Sequence, residues 1–155
     1  MAPPSNPTPE AIDAFVKQVI GWSRLLQTCA DAALERAHAQ FDAGDIGFAD
    51  YSDALQQKLA VMKSCVDMIN AAGSVLLVIA EAEMMPVVDA TKKLEEASQT
   101  LAGIQDAVVI VARLAVAAAA LATAIGAPSA GTIAAAGTSL YEVAAAVVTD
   151  GEGDA

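Results

Sequence analysis

The sequence contains few of the residue types from which enzymes build active sites. It has one histidine and two cysteines among 155 residues. Glu35 and His38 have the Glu-x-x-His spacing of carboxylate metal sites in helical bundles, but those sites use two such motifs and the chain has no second histidine. A glycine-rich phosphate loop, a nucleophile elbow and a Cys-x-x-Cys pair are also absent. We therefore expect a protein that is not an enzyme and that uses no cofactor, metal or small-molecule substrate.

Basic residues are scarce as well. The chain has 8 lysines and arginines against 19 aspartates and glutamates, which gives a net charge of −11. Because phosphate binding requires a basic surface, we expect no binding to nucleic acid. The same charge repels anionic lipid at neutral pH, and acid pH weakens that repulsion because carboxylates become protonated.

Aromatic residues make up only 4% of the chain, and charged residues 17%, although hydrophobic residues reach 55%. A globular chain is usually about one quarter charged. The apolar content is therefore mostly alanine, valine, leucine and isoleucine. Small side chains at helix contacts allow helices to pack closely.

The first half of the chain carries apolar residues at alternating steps of three and four, the heptad pattern of coiled coils. Thr8 is a suitable N-cap, Pro9 suits the first helical position, and Gly44 can end this first helix. A second helix is expected after a turn over residues 44–50. The predicted seams are Ile12, Phe15, Val19, Trp22, Leu26, Cys29 and Ala33 in the first helix, and Leu55, Leu59, Met62, Val66, Ile69, Gly73, Leu76 and Ala80 in the second.

Pro86 is expected to break or sharply bend the chain, because proline removes a helical hydrogen bond and three consecutive bundle helices need a reversal here. A third helix then runs unbroken from Val87 to residue 125, and a fourth covers 130–148. The predicted fold is all-α: an antiparallel bundle of three long helices and one shorter helix, with an Ala-rich apolar C-terminal hairpin.

The predicted bundle spans residues 8–148. We expect residues 1–7 to form a disordered leader and residues 149–155 an acidic disordered tail. The N-terminus has neither the basic residue nor the apolar run of a cleavable signal peptide. The protein is therefore expected either in the cytoplasm or exported by a leaderless route.

Residues 101–148 form the most apolar part of the sequence. They contain three charges, Asp106, Arg113 and Glu142. Each arm has about the length that spans a hydrocarbon core. Arg113 and Glu142 lie at about equal distances from the turn, so an antiparallel hairpin is expected to pair them as ions. Small residues, among them Gly126, Gly131 and Gly137, are expected to let the two arms pack closely.

Cys29 and Cys65 are expected at the same level of the bundle if the first two helices pair around residue 47. A disulfide requires Cα atoms within about 7 Å. This spacing is compatible with a Cys29–Cys65 disulfide and also with two separate buried thiols that act as small hydrophobic residues.

Long amphipathic helices followed by an Ala/Gly/Val hairpin resemble, in architecture, the α-helical pore-forming toxins. The resemblance covers residues 87–148 and carries no diagnostic motif, so it implies no functional residues. It suggests a membrane-active or self-assembling bundle whose hairpin at 101–148 inserts into lipid or forms a homo-oligomer. The alternative is a soluble scaffold or adaptor whose hairpin stays buried in a bundle core or homo-oligomer.

Overall fold

The computed structural model describes residues 8–74 and 81–152, and within these ranges the fold is all-α, as predicted. The residues predicted as a leader, and Leu76 and Ala80 of the second seam, lie outside the described residues. Five α-helices and one 3₁₀ segment make up the described chain. They are α1 Pro9–Asp42, α2 Phe48–Ser74, α3 Glu81–Ala97, the 3₁₀ segment Ser98–Gly103, α4 Ala107–Gly126 and α5 Ala130–Glu152.

The ends of α1 follow the sequence signals. The Thr8 hydroxyl accepts a hydrogen bond from the Ala11 amide at 3.1 Å, and Pro9 occupies the first turn. Gly44 adopts φ +81°, a left-handed conformation that costs glycine no steric strain. Both predicted ends of the first helix are therefore confirmed.

The helices alternate in direction along the chain. Lys58 pairs with Asp31 at 2.9 Å, which makes α1 and α2 antiparallel. α4 packs against α1, α2 and α5, and α3 packs against α5. An added Cβ at Gly126 would contact Ala71, and both residues lie near the C-terminal ends of their helices, so α2 and α4 run parallel. An added Cβ at Gly137 would contact Pro86, and both lie near the N-terminal ends of theirs, so α3 and α5 also run parallel. Helices that follow each other in the chain are therefore antiparallel, whereas the pairs α2–α4 and α3–α5 are parallel.

Pro86 neither breaks nor ends a helix: α2 ends at Ser74, and α3, which runs in the opposite direction, already begins at Glu81. A further reversal, which the sequence did not predict, occurs at residues 98–106. Pro86 is the sixth residue of α3 and lies inside that helix. The predicted third helix is interrupted where the Ser98 and Thr100 hydroxyls bond to carbonyls three residues earlier, which competes with helical bonding. Leu101 and Ile104 remain buried through the interruption, so the apolar spacing continues although the helix does not.

The seam predicted for α2 is wrong. Its large members are exposed, with Leu59 at 62% and Val66 at 57%, whereas the predicted α1 seam is buried from Phe15 to Ala33. The buried face of α2 is formed by smaller or narrower side chains: Ala54, Val61, Cys65, Met68 and Ala72. Both sets of α2 residues have helical spacing, and α2 turns the second set toward α1 and α4.

Cys29 and Cys65 are free thiols in the core. The Cys65 thiol donates to the Ser23 carbonyl at 3.6 Å, about one and a half turns before Cys29. The midpoint between Asp42 and Phe48 is residue 45, not 47, which explains why the two cysteines are out of level. The structure therefore contains the two buried thiols and not the disulfide.

Burial of both thiols predicts that they resist alkylation in the folded protein. Desolvation raises the pKa of Cys29 from 9.0 to about 12. It also raises the pKa of Cys65, against the opposing hydrogen bonds of Gln27 and Ser23. Labelling with a thiol reagent should be slow without denaturant and complete with it, because only thiolates react. Rapid native labelling, or a non-reduced mass lower by two hydrogens, would contradict this assignment.

Because both thiol pKa values are raised by burial, the free energy of unfolding should depend on pH in the alkaline range. Below pH 9 the thiols are protonated in both the folded and the unfolded chain. Above it the unfolded thiols ionise while Cys29 stays protonated up to about pH 12, so the free energy of unfolding should fall with pH. Denaturation at increasing pH measures this slope. A Cys29→Ala, Cys65→Ala variant is the control, and it should show a shallower slope than the parent.

Candidate functional site: the α4–α5 hairpin

α4 and α5 form a pair of neighbouring antiparallel helices, each long and apolar enough to cross a membrane. The spans are Ala107–Gly126, with mean hydropathy 2.4, and Ala130–Asp150, with mean hydropathy 1.3. Within the bundle half of the α4 window and 39% of the α5 window are buried. A buried helix of a soluble bundle meets the same two criteria, so contacts and exposure have to distinguish the two uses.

A short turn closes the hairpin. The Ser129 hydroxyl accepts from the Thr132 amide at 3.0 Å, and the Ser129 amide donates to the Thr132 hydroxyl at 2.9 Å. This reciprocal pair is a capping box in which threonine takes the place of glutamate. The Thr132 hydroxyl also lies 3.1 Å from the Ala127 carbonyl and can donate to it. These bonds define the reversal without help from the rest of the bundle.

The two arms have one buried face and one open face. Leu114, Leu121 and Ile125 of α4 are fully buried among the other helices. On the open face Val109 and Val116 of α4 are 49% and 63% exposed. Tyr141 and Val148 of α5 are also exposed, on the side of α5 that borders α3. The hairpin therefore presents apolar side chains to solvent while its other side completes the core.

The predicted ion pair is not formed. Arg113 and Glu142 line the same open groove between α4 and α5, which confirms that they lie at similar heights. Both are exposed, and the salt bridges among the described residues do not include this pair. Water hydrates each charge separately at the surface, so the desolvation that would make pairing necessary is absent.

The three glycines do not bring the two arms together. A Cβ at Gly137 would lie 3.0 Å from Pro86 Cβ and 3.2 Å from the Pro86 carbonyl carbon, so the close approach is with α3. At Gly126 it would meet Ala71 of α2 at 3.9 Å, and at Gly131 the nearest atom is the Ser129 hydroxyl at 3.8 Å. Gly137 is thus the site of tightest packing, with a different partner from the one expected.

Three polar side chains hold the segment that enters α4. Arg36 donates to the Ile104 carbonyl at 2.8 Å, and the Gln40 side chain donates to the Gln105 carbonyl. The Asp150 carboxylate accepts from the amides of Gln105 and Asp106 at 2.6 and 3.2 Å. A carboxylate at a helix N-terminus also interacts favourably with the positive end of the helix dipole. Asp150 was predicted in a disordered tail, but α5 continues to Glu152.

Apart from the charges themselves, no sequence signal predicted this polar contact. Arg36 and Gln40 are one turn apart, which places them on one face of α1, but their partners are backbone carbonyls in a predicted helix interior. The interruption of that helix is what frees the carbonyls. Among the described residues no group of three or more histidine, cysteine or acidic side chains is placed to hold a metal.

Gly137→Ala should destabilise the protein, because the new methyl group would overlap the rigid ring and backbone of Pro86. Overpacking costs about 1–3 kcal/mol, which exceeds or cancels the gain of about 1 kcal/mol in helix propensity. Gly21→Ala is the matched control in α1, where an added Cβ meets no atom within 4 Å. It should stabilise the protein by up to about 1 kcal/mol. Urea denaturation measures both, and equal effects would contradict the close approach.

Comparisons with known proteins give no match to this chain, whether to a protein-family model, a curated protein or a solved structure. The function of the hairpin therefore has to be argued from its own geometry. The relevant quantities are its length, its apolarity, the position of its two charges and the contacts that hold it in the bundle.

Proposed function

We propose that the protein is a non-enzymatic, membrane-active helical bundle whose α4–α5 hairpin inserts into a lipid bilayer. One observation carries the proposal: two span-length apolar helices are neighbours, antiparallel and joined by three residues. Twenty helical residues extend about 30 Å, the thickness of a hydrocarbon core. A hairpin with this geometry can cross a bilayer and return without rearranging its own two helices.

The exposed face of the hairpin supports a first contact with lipid before any unpacking. Val116 of α4 is 63% exposed, and three alanines about one turn from it, Ala112, Ala119 and Ala120, are exposed or half-buried. This face can dock on a bilayer while the opposite face still covers the core. Insertion then exchanges the contacts of α4 with α1 and α2 for contacts with lipid.

The two charges limit the cost of insertion. A charged side chain at the centre of a bilayer costs about 2.5–3.5 kcal/mol on insertion scales. Arg113 and Glu142 line one groove on facing helices, so a small movement of their side chains would pair them inside the membrane. They are hydrated in the bundle, and they have a partner of opposite charge available when that water is lost.

Acid pH is the trigger that the composition favours. At neutral pH the net charge of −11 opposes approach to an anionic bilayer. Protonation of exposed carboxylates reduces that charge. The segment at residues 104–106 is the hinge in this mechanism, because it connects α4 to the rest of the chain through a few hydrogen bonds.

A soluble scaffold is the second candidate, and the burial of α4 favours it. α4 contacts three other helices, and ten of its twenty residues are buried. In this alternative the hairpin is a permanent core element and never leaves the bundle. The two candidates differ in whether the turn at residues 127–129 ever separates from α2.

A disulfide across α2 and α4 tests the insertion directly. A Cβ at Gly126 would lie 3.9 Å from the Ala71 Cβ, within the range of about 3.5–4.5 Å for disulfides. Ala71→Cys with Gly126→Cys, in a background of Cys29→Ala and Cys65→Ala, should therefore close a bond that pins the turn to charged α2. The reduced protein should float with anionic liposomes and release an entrapped dye, more strongly at pH about 4, where about half of ordinary carboxylates are protonated, than at pH about 7.5. The oxidised protein should do neither.

The reduced form of the same protein is the matched control, because it has the same sequence and differs only in that bond. Single-cysteine variants control for the oxidant. Equal flotation and dye release by the oxidised and reduced forms would show that the hairpin does not need to leave α2. Absence of flotation at both pH values, with one discrete species in buffer, would leave the soluble scaffold.

A further inference from the structure

The outer face of α2 carries a continuous apolar stripe that the described bundle leaves uncovered. Phe48 is 70% exposed, Leu59 62% and Val66 57%. Leu55 and Met62, which lie between them, are 39% and 42% exposed. Ile69 continues the stripe at intermediate exposure. Ordinary globular surfaces carry single exposed apolar residues, whereas a row of this kind marks an interaction surface.

The stripe has the spacing of a coiled-coil seam. Leu55, Leu59, Met62, Val66 and Ile69 follow each other at steps of four, three, four and three. In heptad notation Leu59 and Val66 occupy a positions, and Leu55, Met62 and Ile69 occupy d positions. The larger apolar residues of α2 therefore form a helix-pairing surface that points outward, while the bundle core uses the smaller set.

We propose that a second copy of this chain covers the stripe, with the two α2 helices packed antiparallel around a two-fold axis near residues 60 and 61. In an antiparallel pair, a positions meet d positions of the other helix. Leu59 then packs against the partner subunit's Met62, and Leu55 packs against the partner subunit's Val66. In the register set by this axis, every large residue of the stripe faces either another large apolar residue or a small neutral one.

Charge selects the antiparallel arrangement over the parallel one. In a parallel pair the g position of one helix borders the e position of the other, so Lys58 would border the partner subunit's Lys63 twice. The antiparallel register instead places Lys63 beside the partner subunit's Gln56. Lys58 is already paired with Asp31 of its own α1. The antiparallel arrangement therefore both avoids like-charge contacts and pairs the apolar residues of the two stripes.

The neighbouring edge of α1 extends the surface. Phe41 stacks on Tyr51 at 5.3 Å, and its ring also meets Phe48 edge-on at 6.2 Å, so the start of the stripe continues into α1. Leu34, seven residues earlier, lies on the same side and is half-buried. From Phe48 to Ile69 the stripe is about 32 Å long. Together with the edge of α1 it offers a surface of roughly the 800 Å² per partner that specific interfaces bury.

This dimer is independent of the insertion proposed above, because α2 uses one face for α1 and α4 and another for the stripe. Two substitutions, at positions of nearly equal exposure, distinguish the α2 dimer from membrane insertion of the hairpin. Leu59 is 62% exposed at the centre of the stripe, and Val116 is 63% exposed on the hairpin. Glutamate at either position replaces a surface residue and leaves the described core unchanged.

Light scattering or sedimentation across a concentration series should give a mass of twice 15.7 kDa for the unmodified chain. Leu59→Glu should raise the dissociation constant at least about tenfold, because each dimer would place two carboxylates in the seam. Val116→Glu should leave the dissociation constant unchanged and weaken liposome flotation. A monomer at all concentrations, or a dimer broken by Val116→Glu and not by Leu59→Glu, would overturn the proposal.

Cysteine cross-linking tests the direction of the pair. In the Cys29→Ala, Cys65→Ala background, Leu55→Cys alone should not form a cross-linked dimer. A mixture of Leu55→Cys and Val66→Cys proteins should form the mixed one, since these positions face each other only in the antiparallel register. Efficient cross-linking of Leu55→Cys to itself would indicate parallel helices and contradict the proposed axis. Absence of both cross-links would contradict the stripe as the interface.

Discussion

Close approach to the alanine-rich surface of α4 is the constraint on which the rest of the bundle depends. α4 has nine alanines among twenty residues, and it contacts α1, α2 and α5. Small side chains at a helix contact let the two helix axes approach closely, and a long side chain at that contact would hold them apart. α2 accordingly turns Ala54 and Ala72 inward, and α5 turns Ala136 and Ala144 inward.

That constraint accounts for the large apolar residues left on the outside. At the contacts where α2 carries its small residues, a leucine or phenylalanine would hold the helices apart, and α2 carries such residues on its other face. The buried face and the exposed apolar face of α2 therefore both follow from its close contact with α4.

The sequence allowed the fold class, both ends of α1 and the location of the hairpin to be predicted, because each depends on local signals. Thr8 and Gly44 act within one turn, and the run at 107–126 is apolar on nearly every side. The α2 seam could not be predicted, because two sets of residues on that helix have the same period and only the shape of α4 distinguishes them. Pro86 was misleading because a single lost hydrogen bond is tolerated in α3, whereas Ser98 and Thr100 together interrupt the next segment.

The candidate site was predicted in position but not in detail. Arg113 and Glu142 lie in one groove because antiparallel geometry relates them, yet ion pairing depends on hydration, which residue spacing does not encode. The packing partner of Gly137 depends on the placement of α3, and that placement follows from the reversal at residues 98–106.

The bond from Asp150 to the start of α4 also has a consequence for synthesis of the chain. The carboxylate is 45 residues downstream of the Gln105 amide that it holds. At ribosomal rates of about 5–20 residues per second, Asp150 is added about 2–9 seconds after Gln105. During that interval the most apolar helix of the nascent chain lacks its C-terminal restraint, so cotranslational capture by a chaperone or a membrane would act before the bundle closes.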